Sequence, residues 1–289
     1  MGDISTAFVK QFSNNIMLLS QQKGSKLRNA VLTKNGIVGE DWYIDQLDAS
    51  TARTKSTRNS DVEYSNSDYQ RRKLSPVTLY DAKLIDKEDK VKMLADPTSP
   101  EALSIAYAIG RGIDDQIITA AFGTAYTGKD GTGTESFSSD NVVAVGGAGL
   151  TVNKLLDAKK ILDNYDVDPD EPRFIAITGT QLQDLLKTTE VKSADYNTVK
   201  ALVQGQVDTF CGFKFILVST SLLDTDTNGY RRVIVWAKNG LGAGFANEMN
   251  NRIDVLPAKH YATQVYASVD IGATRVDMDK VVEIKCSEA

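Results

Sequence analysis

Apolar residues in this chain recur with two different periods. Ile4, Phe8, Phe12, Ile16 and Leu19 follow one another at steps of three and four. That spacing predicts an amphipathic helix over residues 3–23, closed by Gly24. Its other face is rich in Ser, Asn and Gln, suited equally to its own domain or to a neighbour. A longer stripe of the same kind runs through Leu103, Ala106, Ile109, Ile113, Ile117 and Ala120. It predicts a helix over residues 99–122, with Thr98 and Glu101 as a capping box, Pro100 in the first turn and Gly123 as the stop. At the standard rise that helix is roughly 36 Å long. Gly110 and Gly112 sit within it, each costing about 1 kcal/mol relative to Ala. They admit either a close neighbour or a bend.

Between the two helices the period changes. Residues 42–47 and 74–80 have strand-like composition and flank a polar stretch, 48–70, in which Val62 is almost the sole aliphatic residue and Tyr64 and Tyr69 the aromatic ones. Two long strands joined by a polar tip are predicted, projecting from the core. A segment this long without apolar anchors is usually functional or disordered. Arg53, Lys55, Arg58, Arg71, Arg72 and Lys73 make it basic within an acidic chain. It reads as a solvated loop or as an arm that orders against an acidic neighbour.

Residues 124–149 are rich in Gly, Ser and Thr, with one short strand expected at 141–145. An α/β block follows. Thr151 is placed to cap a helix through Leu155, Ala158, Ile161 and Leu162, and the acidic turn 163–171 leads into a strand at 174–177. A helix carries Leu182, Leu185 and Leu186, and Asn197 is placed to cap another through Val199, Leu202 and Val203. Strands are expected at 207–210 and 213–218, split by Cys211-Gly212, and at 233–236. The tail alternates as two strands, 262–271 and 273–284.

Composition narrows the chemistry. The 289 residues suggest about two domains or subdomains. Lys plus Arg number 33 and Asp plus Glu 38, a net charge of −5, which argues against a dedicated nucleic-acid binder. No apolar run approaches a membrane span and no secretory h-region follows the N-terminus, so a soluble protein of the cytoplasm is expected, with no membrane partner. Cys211 and Cys286 are too few for a disulfide framework. With His260 as the lone histidine, they do not make a familiar zinc site, and no nucleophile elbow accompanies that histidine. His260 is read as a solvated or packed residue at a strand start. Asp224-Thr225-Asp226-Thr227-Asn228-Gly229 opens like a calcium loop, but Val235 stands where the bidentate Glu is required. A hairpin turn with Asn228 and Gly229 at positive φ fits better. Gly240-Leu241-Gly242-Ala243-Gly244 follows a strand as dinucleotide loops do, without their spacing or a following helix. Met1-Gly2-Asp3-Ile4-Ser5-Thr6 matches a myristoylation pattern short enough to arise by chance. No catalytic, metal or cofactor site is expected.

The order of elements carries a resemblance. Asp96-Pro97-Thr98-Ser99-Pro100 through Ile109-Gly110-Arg111-Gly112-Ile113-Asp114-Asp115 resembles the spine helix of the major capsid proteins of tailed bacteriophages, the Hong Kong 97-type fold. Phe210-Cys211-Gly212-Phe213-Lys214 leading into Ser219 fits the same family. So does the closing run Ser268-Val269-Asp270-Ile271-Gly272-Ala273-Thr274-Arg275-Val276 through Val281-Val282-Glu283-Ile284. The resemblance covers essentially the whole chain and implies an α+β capsid fold. Residues 1–39 would be an N-terminal arm and 40–75 an extended loop lying across the neighbouring subunit. Residues 76–149 with 246–289 would form the peripheral domain, and 150–245 the axial domain. The implied function is self-assembly, as hexamers and pentamers, into an icosahedral shell around double-stranded DNA held without sequence-specific contacts. Arg53, Lys55, Arg58, Arg71 and Arg72 would serve assembly, and Gly110 and Gly112 a bend in the spine helix. Some relatives carry a scaffolding segment of about a hundred residues ahead of the loop. Only about 40 precede it here, which implies a separate scaffolding protein beside a portal and a possible decoration protein. Relatives crosslinked by Lys–Asn bonds make Lys55 a conceivable donor, though lysine is common in polar loops. The shell would be made in the bacterial host cytoplasm and act in the virion. The alternatives are an encapsulin-type compartment, which shares the fold and encloses enzymes, and a nucleotide-dependent enzyme using the 240–244 loop.

Overall fold

A computed structural model places residues 21–47, 50–55, 57–58, 61–62, 64, 69–86, 98–187, 209–246 and 250–288, and structural statements below concern these. The helix expected after Asn197 lies outside them. So does the one expected over 3–23, apart from the irregular residues 21–23. In chain order the first strands are β1 (Leu32–Asn35), β2 (Trp42–Leu47), β3 (Tyr69–Leu74), β4 (Val77–Ile85), β5 (Ala125–Thr127), β6 (Gly133–Glu135) and β7 (Val142–Val143). They are followed by β8 (Arg173–Ile177), β9 (Thr209–Phe210), β10 (Phe213–Leu217), β11 (Arg231–Ala237) and β12 (Leu241–Phe245). The last are β13 (Asn250–Leu256), β14 (Ala262–Arg275) and β15 (Val281–Cys286). The helices are α1 (Thr98–Phe122), α2 (Val152–Asn164) and α3 (Gly179–Lys187). The chain divides into two compact units, and the division falls inside α1, after Gly112, and inside β14, after Asp270.

In the smaller unit, β13 pairs antiparallel with the first part of β14, from Leu256↔Ala262 to Asn250↔Ser268, and β4 also pairs with β14. The expected helix forms, beginning at Thr98. Ile109 of its predicted stripe is buried, as is Ile105 outside that stripe, whereas Leu103, the first residue of the stripe, is 47% exposed. The Glu101 carboxylate in the first turn accepts from Lys83 of β4. Residues 250–256, absent from the sequence reading, form a strand exposed along nearly all its length. The five-residue loop after it puts His260 and Tyr261 at φ +50° and +60°, and His260 is solvated.

The larger unit is organised on a six-stranded sheet, ordered β7-β15-β11-β8-β10-β9. β8 and β10 run parallel, and β11 is antiparallel to both β8 and β15. Every residue of β8 is buried, which is why it reads as a continuous apolar run without alternation. Leu155, Ala158 and Leu162 of α2 and Leu185 of α3 share one buried cluster with Ile175, Ile177, Val233, Val235, Val282 and Ile284. Thr151 caps α2 as expected, its hydroxyl accepting from the Lys154 amide at 3.4 Å. Cys211 and Gly212 take φ of +52° and +85°, making the two-residue turn that pairs Phe210 with Phe213.

Three strand expectations need correction. The return strand of the hairpin is β3, residues 69–74, and not 74–80, because Ser75-Pro76 breaks the run and β4 then joins another sheet. The tail does not break at Gly272; β14 continues to Arg275, and the chain turns at 277–280 instead. In the turn before β11 only Gly229 has positive φ. Asp226 holds the turn, its Oδ1 accepting from the amides of Asn228 and Tyr230, each at 2.9 Å.

Candidate assembly surfaces

The β2/β3 hairpin has two chemically distinct faces. Residues directly opposite share a face, and the register Trp42↔Leu74, Ile44↔Arg72, Gln46↔Gln70 puts these six together. Trp42 and Leu74 are fully buried at the base. They and Ile44 lie on glycines: a Cβ on Gly242 would sit 2.7 Å from Ile44 Cδ1, and one on Gly244 2.7 Å from the Trp42 ring. From Leu241 on, the 240–244 run therefore lies in a buried strand, β12, whose small residues let the hairpin lie close, and it is no phosphate-binding loop. The opposite face is an ion-pair ladder. Arg71 donates to Asp45 at 2.6 Å and lies over the Tyr43 ring, while Lys73 pairs with Asp41 at 2.8 Å. Hydrogen bonds to these carboxylates raise both bases above their ordinary values.

The five basic candidates thus separate. Arg71 and Arg72 are engaged within the subunit's own fold. Arg72 is buried, donating from Nε to the Val276 carbonyl at 3.0 Å and from Nη1 to the Glu135 carboxylate. Arg53, Lys55 and Arg58 are exposed, as is every other described residue of 50–64. Val62 is 72% and Tyr64 87% exposed. Arg72 also engages Gln46 and Glu135, residues the sequence reading missed. A polar residue on the apolar face of a predicted strand was the available signal for Gln46.

The helix glycines also separate. A methyl group on Gly110 would lie 2.5 Å from the backbone of Gly24, which has φ +78°, so Gly110 is a backbone-to-backbone contact. Gly112 faces only the flexible end of Leu79, at 3.2 Å. Both lie within an unbroken α-helical assignment. Asp114 follows as a buried carboxylate accepting from the amides of Lys26 and Leu27, each at 3.0 Å.

Titratable groups elsewhere serve the fold. Burial pushes the Cys286 thiol up to about 12, and it raises that of Cys211 as well. Lys154 gives its ammonium to the Ala148 and Lys285 carbonyls, and burial lowers it. Glu288 accepts from Arg231 through both oxygens and from Gln181; the Arg231 bond holds it below the usual carboxylate range. Among the described residues no group of three His, Cys, Asp or Glu converges as metal ligands would, and no helix is long and apolar enough to cross a membrane.

The same fold occurs in solved phage shells. The chain superposes on the capsid of Ralstonia phage GP4 with a TM-score of 0.76 at 10% identity, covering 98% of this chain and 96% of that one. The head of Helicobacter pylori bacteriophage KHP40 gives 0.75 at 11% identity, covering 99% and 98%. The capsid of cyanophage P-SCSP1u gives 0.72 at 14%, covering 99% and 95%. These likenesses establish the α+β capsid fold. No curated protein matches the sequence. A family model described as phage capsid protein matches residues 4–288. With that match spanning nearly every residue and the fold agreeing over the same length, the chain belongs to the phage capsid protein family and is a major capsid protein that builds the virion shell.

Proposed function

We propose that residues 40–75 are the extended loop by which each subunit grips its neighbour. In this reading Arg53, Lys55 and Arg58 meet acidic groups of the adjacent copy, while Arg71 and Arg72 secure the base. Residues 76–149 with 246–289 act as the peripheral domain and 150–245 as the axial domain, whose sheet β7 and β15 complete. Hexamers and pentamers close around double-stranded DNA without sequence-specific contacts, as a net charge of −5 suits. A separate scaffolding protein, a portal and a decoration protein are the other partners, and assembly takes place in the host cytoplasm. The subunit catalyses nothing. Gly110 and Gly112 are where the spine helix bends as the shell matures. Family membership favours a virion shell over an enzyme-enclosing compartment.

The observation that carries the loop assignment is the exposure of the described residues of 50–64, Tyr64 and Val62 included, on a hairpin whose base is fixed. Burying an apolar side chain of that size contributes roughly 1.5–3 kcal/mol, available to this segment only on another surface. Limited trypsinolysis tests it. In the free subunit cleavage should fall first after Arg53, Lys55 or Arg58, and in assembled shells those bonds should be protected. Equal cleavage in both would overturn the assignment.

A further inference from the structure

The base of the hairpin ends on one backbone carbonyl, that of Val276. Gln46 Nε2 of β2 donates to it at 2.7 Å and Arg72 Nε of β3 at 3.0 Å, and the same Arg72 nitrogen lies 3.1 Å from Gln46 Oε1. Both strands of the hairpin are therefore tied to a single atom, at the corner where β14 ends. The second arm of the Arg72 fork reaches the Glu135 carboxylate on β6. Glu135 is held in turn from the other side: its carbonyl accepts from Arg275 Nη2 at 2.8 Å. Arg275 is 1% exposed, and its Nη1 donates to the carbonyls of Ala121 and Gly123, at 2.9 and 2.8 Å, where α1 ends. The guanidinium also lies over the Phe137 ring.

Two guanidinium forks thus connect β2, β3, β6, the β14 corner and the last turn of α1. A planar fork fixes direction as well as distance, and a lysine ammonium in its place keeps charge without that geometry. The residues also divide the hairpin. Trp42, Ile44 and Gln46 with Leu74 and Arg72 are docked, whereas Gln70, opposite Gln46 on the same face, is exposed.

We infer that Arg72, Gln46 and Glu135 are positioning residues for assembly: they clamp the hairpin base onto Val276 so that each free subunit already presents its loop in one direction. The docked part of the hairpin ends at Gln46 and Arg72. Arg72 acts on assembly through orientation and touches no neighbouring subunit. This rests on the loop assignment above for its consequence in the shell, while the clamp is a property of the single subunit.

Spin labels at Tyr69→Cys and Asp170→Cys, with Cys211→Ser, read the direction by pulsed electron–electron resonance on the full-length free subunit. The parent should give one narrow distance peak. Arg72→Lys should lose that peak to a broad distribution while the far-ultraviolet circular dichroism and the unfolding transition of the sheet remain. Gln46→Ala, at a half-buried site, is the milder variant should Arg72→Lys not fold; it should broaden the same peak. An unchanged narrow peak in a folded variant overturns the clamp. Should the peak broaden and shells still close at the parent rate, the clamp stands and the loop assignment fails.

Discussion

At the scale of single residues, the two helix glycines lead to opposite expectations. Gly110→Ala forces a methyl group against the Gly24 backbone at 2.5 Å, with no flexible atom to yield. A loss of about 1–3 kcal/mol is expected from overpacking. Gly112→Ala meets only the tip of Leu79 and gains helix propensity, so its stability should stay level or rise by up to about 1 kcal/mol. Urea unfolding of the two variants separates these outcomes. Gly112→Ala is also the cleaner probe of the proposed bend, because it stiffens α1 without disturbing packing; normal shell expansion in it would leave Gly112 with no part in bending. Glu288 supplies a pH expectation. Its carboxyl is held low by Arg231 and then by Gln181, against the opposing effect of burial. A group with a depressed folded-state value contributes stability that is full above its ordinary value and is lost as pH falls through the depressed one. The unfolding midpoint should therefore drop on acidification below the carboxylate range. Glu288→Gln should start lower at neutral pH and lose less; parallel pH profiles for parent and variant would remove this contribution.

Elements were legible wherever one period held for long enough. Ile109, Ile113 and Ile117 of the α1 stripe, the Thr151 cap and the apolar runs of β8 and β11 appear as read, because burial on one face or on both leaves a plain trace, whereas Leu103 at the head of the stripe is exposed. Residues 69–73 and 250–256 were obscured because their side chains are mostly polar or exposed, and pairing with β2 and β14 decides their conformation. The hairpin of β5 and β6 was lost in a Gly- and Thr-rich stretch for the same reason. The glycines of β12 misled in a different way. Their place after a strand is that of a phosphate loop, but the cause of the glycines is the approach of Trp42, Ile37 and Ile44, which no local pattern displays. Of the assembly candidates, charge type was visible and engagement was not: Arg71 and Arg72 differ by one position and face opposite sides of β3. A test belongs to this element. Gly244→Ala places a methyl group 2.7 Å from both Ile37 Cδ1 and the Trp42 ring, and should cost about 1–3 kcal/mol by lifting the hairpin base. Hydrogen exchange should then accelerate at Trp42–Ile44 before it does in β8. Unchanged protection there would mean that the close approach contributes nothing to holding the hairpin.

For the whole molecule, the larger unit has a core built for independent stability, whereas the described residues of the hairpin tip are exposed. Such a chain folds as a subunit and completes its contacts by repetition, with modest affinity at each contact summed over many. The most direct measurement is electron microscopy of the purified full-length protein, expressed alone and together with a scaffolding protein from its own gene cluster. The account predicts closed icosahedral shells of hexamers and pentamers in the presence of the scaffold, with the 40–75 hairpin of each subunit resolved on its neighbour. A protein that remains strictly monomeric at high concentration with the scaffold supplied would contradict it.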